Sequence, residues 1–350
     1  MKKLTTFLLT LLGLAPACSG QQQYENADVE AFAQLVSNSG VQLLDVRTPK
    51  EYVEGHLEGA TNIDVNRPDF AEYAKGRLDT ARPVAVYCRS GRRSANAAGL
   101  LAAEGFTVTN LKGGIMAWKE KGQPVTTVDA ELFTTKGGKQ VLVYALMHAS
   151  VRIVADGKEI EIDPVGQLGE RRVDYSALPK ADVIFVTHEH RDHFDPDALN
   201  MLTSEGTTLV TNRRCADMLG YGEVMANGDS MALADDIRVE AVPAYNTTEG
   251  HTQFHPKGRD NGYVLTLDGL RIYVAGDTED IPEMTALKDI DIAFLPCNQP
   301  YTMTPDQLTK AARTVRPKVL FPYHYGQTDV TALPALLKDD GIDVRIRHYE

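Results

Sequence analysis

Beyond its first residues the chain has no apolar run near the roughly 20 residues needed to cross a bilayer. It is short of positive charge. Against 48 Asp and Glu stand 36 Lys and Arg, a formal net charge of -12, which argues against a basic stripe that neutralises phosphates and so against nucleic acid as a partner. Cysteine is scarce. If Cys18 is spent on a leader, the remaining Cys88, Cys215 and Cys297 cannot all pair within one chain. Cys215 and Cys297 sit outside any motif and read as inert buried thiols. Tryptophan is nearly absent, and Trp118 alone reads as a core anchor. Neither an internal repeat nor a low-complexity tract is evident. What remains is a globular composition, 43% hydrophobic and 24% charged, over 350 residues, enough for two domains.

The N-terminus reads as an export signal over residues 1–18. Lys2 and Lys3 supply a positive start, Leu4 to Leu14 a short apolar core, and Ala15 to Ala17 small residues beside a cleavage site. Cys18 stands where bacterial lipoproteins are lipidated, and Leu14 to Ser19 resembles a lipobox, with Ala15 and Pro16 as departures. Two outcomes stay open: simple cleavage, giving a periplasmic protein, or lipidation of Cys18, giving one tethered to a membrane.

Residues 24–128 alternate strands and helices, the pattern of a parallel α/β sheet. Strands are expected at Val41 to Val46, Pro83 to Tyr87 and Phe106 to Leu111, and a helix at Ser94 to Glu104 ending at Gly105. Gly122 to Asp129 has linker composition. A second domain over 132–350 repeats one theme, an apolar strand followed at once by polar residues. Val183 to Val186 leads to His188, Arg271 to Ala275 to Asp277, and Val319 to Phe321 to His324.

Cys88 follows one buried strand and precedes a helix. A loop there aims backbone N–H groups at one point, and Arg89, Arg92 and Arg93 add charge. All favour thiolate over thiol, and a persulfide would be held the same way. A cysteine phosphatase would need Arg at the sixth position after Cys; here that is Ser94. The cradle of Arg89, Ser90, Gly91, Arg92 and Arg93 is smaller and suits a terminal sulfur. This stretch, with Leu44 to Pro49, Glu51-Tyr52, Gly55 to Ala60, Leu111 to Gly114 and Ala117-Trp118, resembles a single rhodanese domain. The resemblance implies a sulfurtransferase whose Cys88 carries sulfur from a small-molecule donor to a thiol acceptor. Asp45, Arg47 and His56 are expected to be structural.

His188, His190, Asp192 and His193 place four potential ligands in six residues. In extended chain His188 and His190 share a side, and a turn can send Asp192 and His193 to a second ion. Imidazole with carboxylate suits zinc, and also manganese or iron. With Met147 to Ser150, Ile162 to Pro164, Ala275 to Thr278 and Phe321 to Gly326, the set resembles the metallo-β-lactamase superfamily, on its ascorbate-phosphate-lactonase-like branch. That resemblance implies an αββα sandwich and, for the whole chain, an α/β fold with a rhodanese-like parallel sheet first. It implies two divalent ions, with His188 and His190 on the first, Asp192, His193 and His324 on the second, and Asp277 bridging and catalytic.

The histidine usual before the Gly-Asp strand is absent. Asn246 stands near its place, with His251 and His255 as substitutes and His255 favoured; His148 either lines the pocket or is a core histidine. The expected function is therefore an exported sulfurtransferase fused to a metal-dependent hydrolase of unidentified substrate. The alternative is a persulfide dioxygenase with a single iron.

Overall fold

The structure is a computed structural model that describes residues 24–127, 130–234 and 236–349. The expected export signal, Cys18, Val128 and Glu350 lie outside the described residues.

The first domain is a five-stranded, wholly parallel sheet. Its strands are β1 (Glu25–Ala27), β2 (Gln42–Asp45), β3 (Thr61–Asn62), β4 (Val84–Tyr87) and β5 (Val108–Leu111), in the order β1-β5-β4-β2-β3. Helices α1 (Val29–Val36), α2 (Pro49–Val53), α3 (Phe70–Lys75), α4 (Arg92–Ala103) and α5 (Gly114–Glu120) cover it. Central β4 is buried on both sides, which is why it reads as an unbroken apolar run. Val84 and Val86 enter one core and Ala85 and Tyr87 the other. Helix α4 begins at Arg92, two residues before the sequence expectation. Gly91 takes the left-handed φ of +89° and turns the loop straight into the helix.

The second domain stacks two seven-stranded sheets. The first uses β6 (Ala130–Thr134), β7 (Gln140–Met147), β8 (Ser150–Ala155) and β9 (Lys158–Ile162). After a separate hairpin, β10 (Gln167–Leu168) with β11 (Arg171–Arg172), it adds β12 (Val183–Val186), β13 (Thr208–Thr211) and β14 (Glu223–Val224). The second sheet runs in chain order through β15 (Ser230–Ala234), β16 (Ile237–Ala244), β17 (Asp260–Leu267), β18 (Leu270–Val274), β19 (Ile292–Pro296), β20 (Val319–Tyr323) and β21 (Asp343–Val344). Their inner faces share one core, with Val151, Ile160 and Phe185 meeting Leu265, Ile272 and Phe294. Helices α6 (Pro196–Leu202) and α7 (Arg213–Leu219) cover the first sheet, and α8 (Pro305–Val315) and α9 (Leu333–Leu337) the second. Asp195 caps α6 and Pro196 opens it.

The first domain docks against the outer face of β7 to β9. The Tyr73 ring lies between the guanidinium groups of Arg67 and Arg77, each 4.0 Å from its centroid. The Tyr73 hydroxyl and Arg77 Nη2 both donate to Gly157 O, and Arg77 pairs with Asp182 at 2.5 Å. Gly157, at φ +79°, carries no Cβ that would strike Arg67 and Tyr73. A cleft of about 480 Å³ remains beside this contact, between Tyr52, His56 and Ile63 of one domain and Leu142, Tyr144 and Arg152 of the other. The segment read as a linker also docks: Thr126 and His56 exchange backbone hydrogen bonds at 2.8 and 2.9 Å. Among the described residues no helix is long and apolar enough to cross a membrane.

Candidate metal centre and cysteine loop

The polar residues after the strands of the second domain converge at one end of the two sheets. Thr187 and His188 follow β12, Asp277 follows β18, His324 follows β20, and His148 sits in the β7–β8 turn. His148, Asp163 and His324 hold φ values of +51°, +45° and +48°. Non-glycine residues in that region cost about 1–3 kcal/mol each and persist where surrounding structure fixes them, often at functional sites. Gly276 has a different reason. Any side chain there would press on Asn261 O and Thr187.

Two groups of four donors result: His188, His190, His255 and Asp277, and His148, Asp192, His193 and His324. Within each, the donor atoms lie within 4.8 Å of one another. Asp277 faces both. Its Oδ2 is 3.3 Å from His255 Nε2 and 3.3 Å from His324 Nε2, and its Oδ1 is 3.2 Å from His193 Nε2. Asp192 Oδ2 lies 3.3 Å from His148 Nε2 and 3.4 Å from His324 Nε2.

The chemistry of this donor set fits metal ions. His193 Nδ1 donates to Asp163 Oδ2 at 2.7 Å and His255 Nδ1 to Asp260 Oδ2 at 3.1 Å, because a carboxylate can only accept. In the neutral rings this leaves the Nε2 lone pairs turned toward Asp277. His193 Nε2, His255 Nε2, His324 Nε2 and Asp277 Oδ1 are all buried without a hydrogen-bond partner. Such a cluster needs cations between its members, either protons or metals.

Protons cannot serve every ring at once, since neighbouring positive charges oppose one another. Burial, reinforced by His193, drives the His188 pKa well down. Burial also opposes charge on His193, His255 and His324, yet Asp277 and the other carboxylates raise all three, His324 to about 9. Burial likewise opposes charge on Asp277, but His193 and His324 hold its carboxyl well below the usual range.

Among the sequence candidates, His255 joins the first group and His148 the second. Asn246 instead spends its amide on His251 O and Tyr301 O, at 3.3 and 2.7 Å, and His251 Nδ1 faces Glu279 at 3.5 Å. The orienting carboxylates Asp163 and Asp260 carry no motif in the sequence that marks them as functional. Asp163 was visible only as part of the Ile162 to Pro164 stretch, with no sign of its partner.

In the cysteine loop, Cys88 is buried and its Sγ accepts from Gly91 N at 3.2 Å and Ser94 Oγ at 3.3 Å. Burial opposes ionisation, but these donors, with the Ser94 and Ser90 backbone, bring the thiol pKa down. Arg93 reaches the sulfur by charge rather than by hydrogen bond: the Glu51 hydrogen bond is the main cause raising its pKa, with Cys88 a smaller electrostatic contributor. Arg93 is engaged by Glu51 at 2.7 and 2.8 Å and holds the Glu51 carboxyl down at about 2. Arg89 and Arg92 are exposed at the loop rim, Ser90 is exposed beside them, and Ser94 is the partner the sequence did not reveal. Gly114, at φ +59°, lets the start of α5 close on the loop, where Ile115 N donates to Cys88 O at 2.8 Å. A Cβ on Gly114 would collide with Cys88 O. Asp45, Arg47 and His56 are buried and make structural contacts. Arg47 bonds both Asp45 oxygens and Gly55 O, and His56 stacks on Tyr52 at 3.8 Å.

Known proteins resemble both halves. Residues 142–324 match the model of the beta-lactamase superfamily domain, and residues 28–121 that of the rhodanese-like domain. A UPF0173 metal-dependent hydrolase of Ligilactobacillus salivarius is 33% identical over 186 residues, covering 51% of this chain and 82% of the relative. The crystal structure of a candidate metal-dependent hydrolase from Parabacteroides distasonis is 51% identical, with a TM-score of 0.61. It covers 64% of this chain and all of its own. Igni18, a metallo hydrolase of Ignicoccus hospitalis, is 26% identical with a TM-score of 0.52, over 59% of this chain and 94% of its own.

Proposed function

The chain belongs to the beta-lactamase superfamily and carries a rhodanese-like domain ahead of that fold. On that premise we propose a bifunctional enzyme: a sulfurtransferase at Cys88 joined to a metal-dependent hydrolase that holds two divalent ions. The observation that carries the hydrolase half is Asp277, a single carboxylate facing histidines of both donor groups. His188, His190 and His255 would hold the first ion, and His148, Asp192, His193 and His324 the second, with Asp277 between them. Zinc suits this set, with manganese or iron as the other candidates. Such ions supply an activated water and polarise the bond under attack. The protein's own part is to keep the Nε2 lone pairs of His193 and His255 on target through Asp163 and Asp260. An ester, thioester, phosphodiester or lactone bond fits that chemistry, and the resemblance to the lactonase-like branch favours a lactone.

In the first domain the Cys88 thiolate would attack the outer sulfur of a donor such as thiosulfate. The new S–S bond forms as sulfite leaves with the electron pair of the broken bond. A thiol or cyanide then removes the bound sulfur and regenerates the thiolate. We place the protein outside the cytoplasm, through the N-terminal signal and with Cys18 as the candidate tether.

Elemental analysis with a hydrolase substrate panel, alongside thiocyanate formation by wild type and Cys88→Ala, tests both halves. Two metal equivalents with hydrolysis, and thiocyanate only from wild type, are expected. A single iron with oxygen consumption on glutathione persulfide would replace the hydrolase by a persulfide dioxygenase.

A further inference from the structure

We propose that Arg191 is a specificity residue that binds an anionic group, a carboxylate or a phosphate, on the substrate of the metal centre. This rests on the hydrolase reading and adds the charge of the substrate to it.

The open side of the centre can be located from burial. Six of the eight residues in the two donor groups are buried, and only His190 and Asp192 are partly exposed. These two flank Arg191, which is itself exposed. A cavity of about 680 Å³ opens here, lined by Arg191, Asp192, Gln167, Leu168 and Gly169. Its far wall is the hairpin β10–β11, which belongs to neither large sheet. The hairpin is tied at its base, where Gly166 N donates to Asp195 Oδ2 at 2.9 Å, and again where Arg171 Nη2 donates to His348 O at 3.0 Å. A molecule reaching the donor groups from this side passes between that hairpin and Arg191.

The acids near Arg191 are already committed. Asp192 faces His148 and His324, and Glu189 is met by Arg214 at 3.0 Å and Arg259 at 3.4 Å. Among the described residues Arg191 makes no ion pair or side-chain hydrogen bond, so its planar fork of donors is available. That fork matches carboxylate and phosphate oxygens two at a time. A chain of net charge -12 repels anions at long range, so a cation at the mouth sets a local attraction against that field.

The test is calorimetric binding to the metal-loaded, full-length protein. The probes are phenylphosphonate, benzoate and neutral benzamide, with wild type, Arg191→Gln and Arg191→Lys. Metal content is measured on each. Arg191→Gln is expected to weaken one anion by about 10- to 100-fold, the worth of a charge-assisted hydrogen bond, and to leave benzamide unchanged. Arg191→Lys keeps the charge and should recover part of the loss. Loss confined to phenylphosphonate assigns a phosphate, and loss confined to benzoate a carboxylate. Equal binding of both anions by wild type and Arg191→Gln at equal metal content overturns the proposal, as does wild-type protein that binds neither. Should Arg191→Gln lose metal, the Lys variant decides, since a metal-loaded Lys variant matching wild type on both anions also overturns it. Hydrolysis is scored apart. Arg191-dependent binding with no turnover on any ester or lactone would sink the hydrolase reading and leave this one standing.

Discussion

Asp163 Oδ2 accepts a hydrogen bond from His193 Nδ1 at 2.7 Å, with both side chains fully buried. The same carboxylate takes Thr187 N and Thr187 Oγ1, each at 2.7 Å, and so fixes the start of the ligand loop as well as the ring. A carboxylate behind a ligand histidine sets its tautomer and raises its basicity. Asp163→Asn keeps the shape and removes the charge. Metal affinity should fall by roughly 10- to 100-fold, read by competition with a chromophoric chelator, while sulfur transfer at Cys88 stays unchanged. An affinity equal to wild type would reduce Asp163 to a packing role.

Among the described residues the Ser94 hydroxyl is the one side-chain donor on the Cys88 sulfur. Thiolate forms as pH rises through the cysteine pKa, and Cys88 titrates below its ordinary value. Ser94→Ala removes a donor that favours the charged form, so the midpoint should move to higher pH. Iodoacetamide alkylation followed against pH reads this directly. At neutral pH the variant should react about tenfold more slowly, the worth of one hydrogen bond to a charged group. An unmoved midpoint would mean the loop N–H groups suffice alone.

Much of this could be read from the chain because its neighbours in space are neighbours in sequence. The ligand run His188 to His193 is contiguous, and Asp277 and His324 each follow an apolar strand, a signal present in the sequence alone. His255 was harder. Its loop carries it past the expected place at Asn246, and it is fixed by Asp260 at the start of β17 rather than by a motif. Asp163 acts on a histidine 30 residues away, and only the parallel pairing of β9 with β12 joins them. The loop around Cys88 was legible as an anion cradle, but the Glu51–Arg93 pair spans 42 residues and was not. Domain docking left no pattern at all, since Tyr73 and Gly157 meet across 84 residues through a hydroxyl-to-carbonyl hydrogen bond that no local motif marks.

That docking has its own consequence. Composition marks residues 122–129 as a free linker, yet Thr126 is paired to His56 and the Tyr73–Gly157 contact holds the domains beside it. Protease cleavage within 122–127 should therefore leave the two pieces associated on size-exclusion chromatography at moderate salt. Gly157→Val forces a branched side chain into the space of Arg67 and Tyr73, at a φ of +79° that valine rarely adopts. This variant should be cut faster, and its pieces should separate. If the nicked wild-type chain separates equally well, the interface is too weak to count as part of the fold.

The two donor groups can be separated by three substitutions. His255→Ala takes one nitrogen from the first group, and His148→Ala one from the second. Each should lower the metal content by up to one equivalent and spare the other ion. Asp277→Ala removes the carboxylate facing both groups, so it should lower both. It should also abolish hydrolysis, because the spacing that positions the attacking water is lost. Protein purified without chelator and dialysed against zinc gives the stoichiometry by elemental analysis. Sulfur transfer by Cys88, in a domain with its own core, reports that each variant is folded there. Loss of one equivalent with Asp277→Ala would place that carboxylate on a single ion. Loss of none with His255→Ala would return Asn246 or His251 to the first ion or leave it short of a ligand. An unaffected His148→Ala would leave Asp192, His193 and His324 to hold the second ion alone.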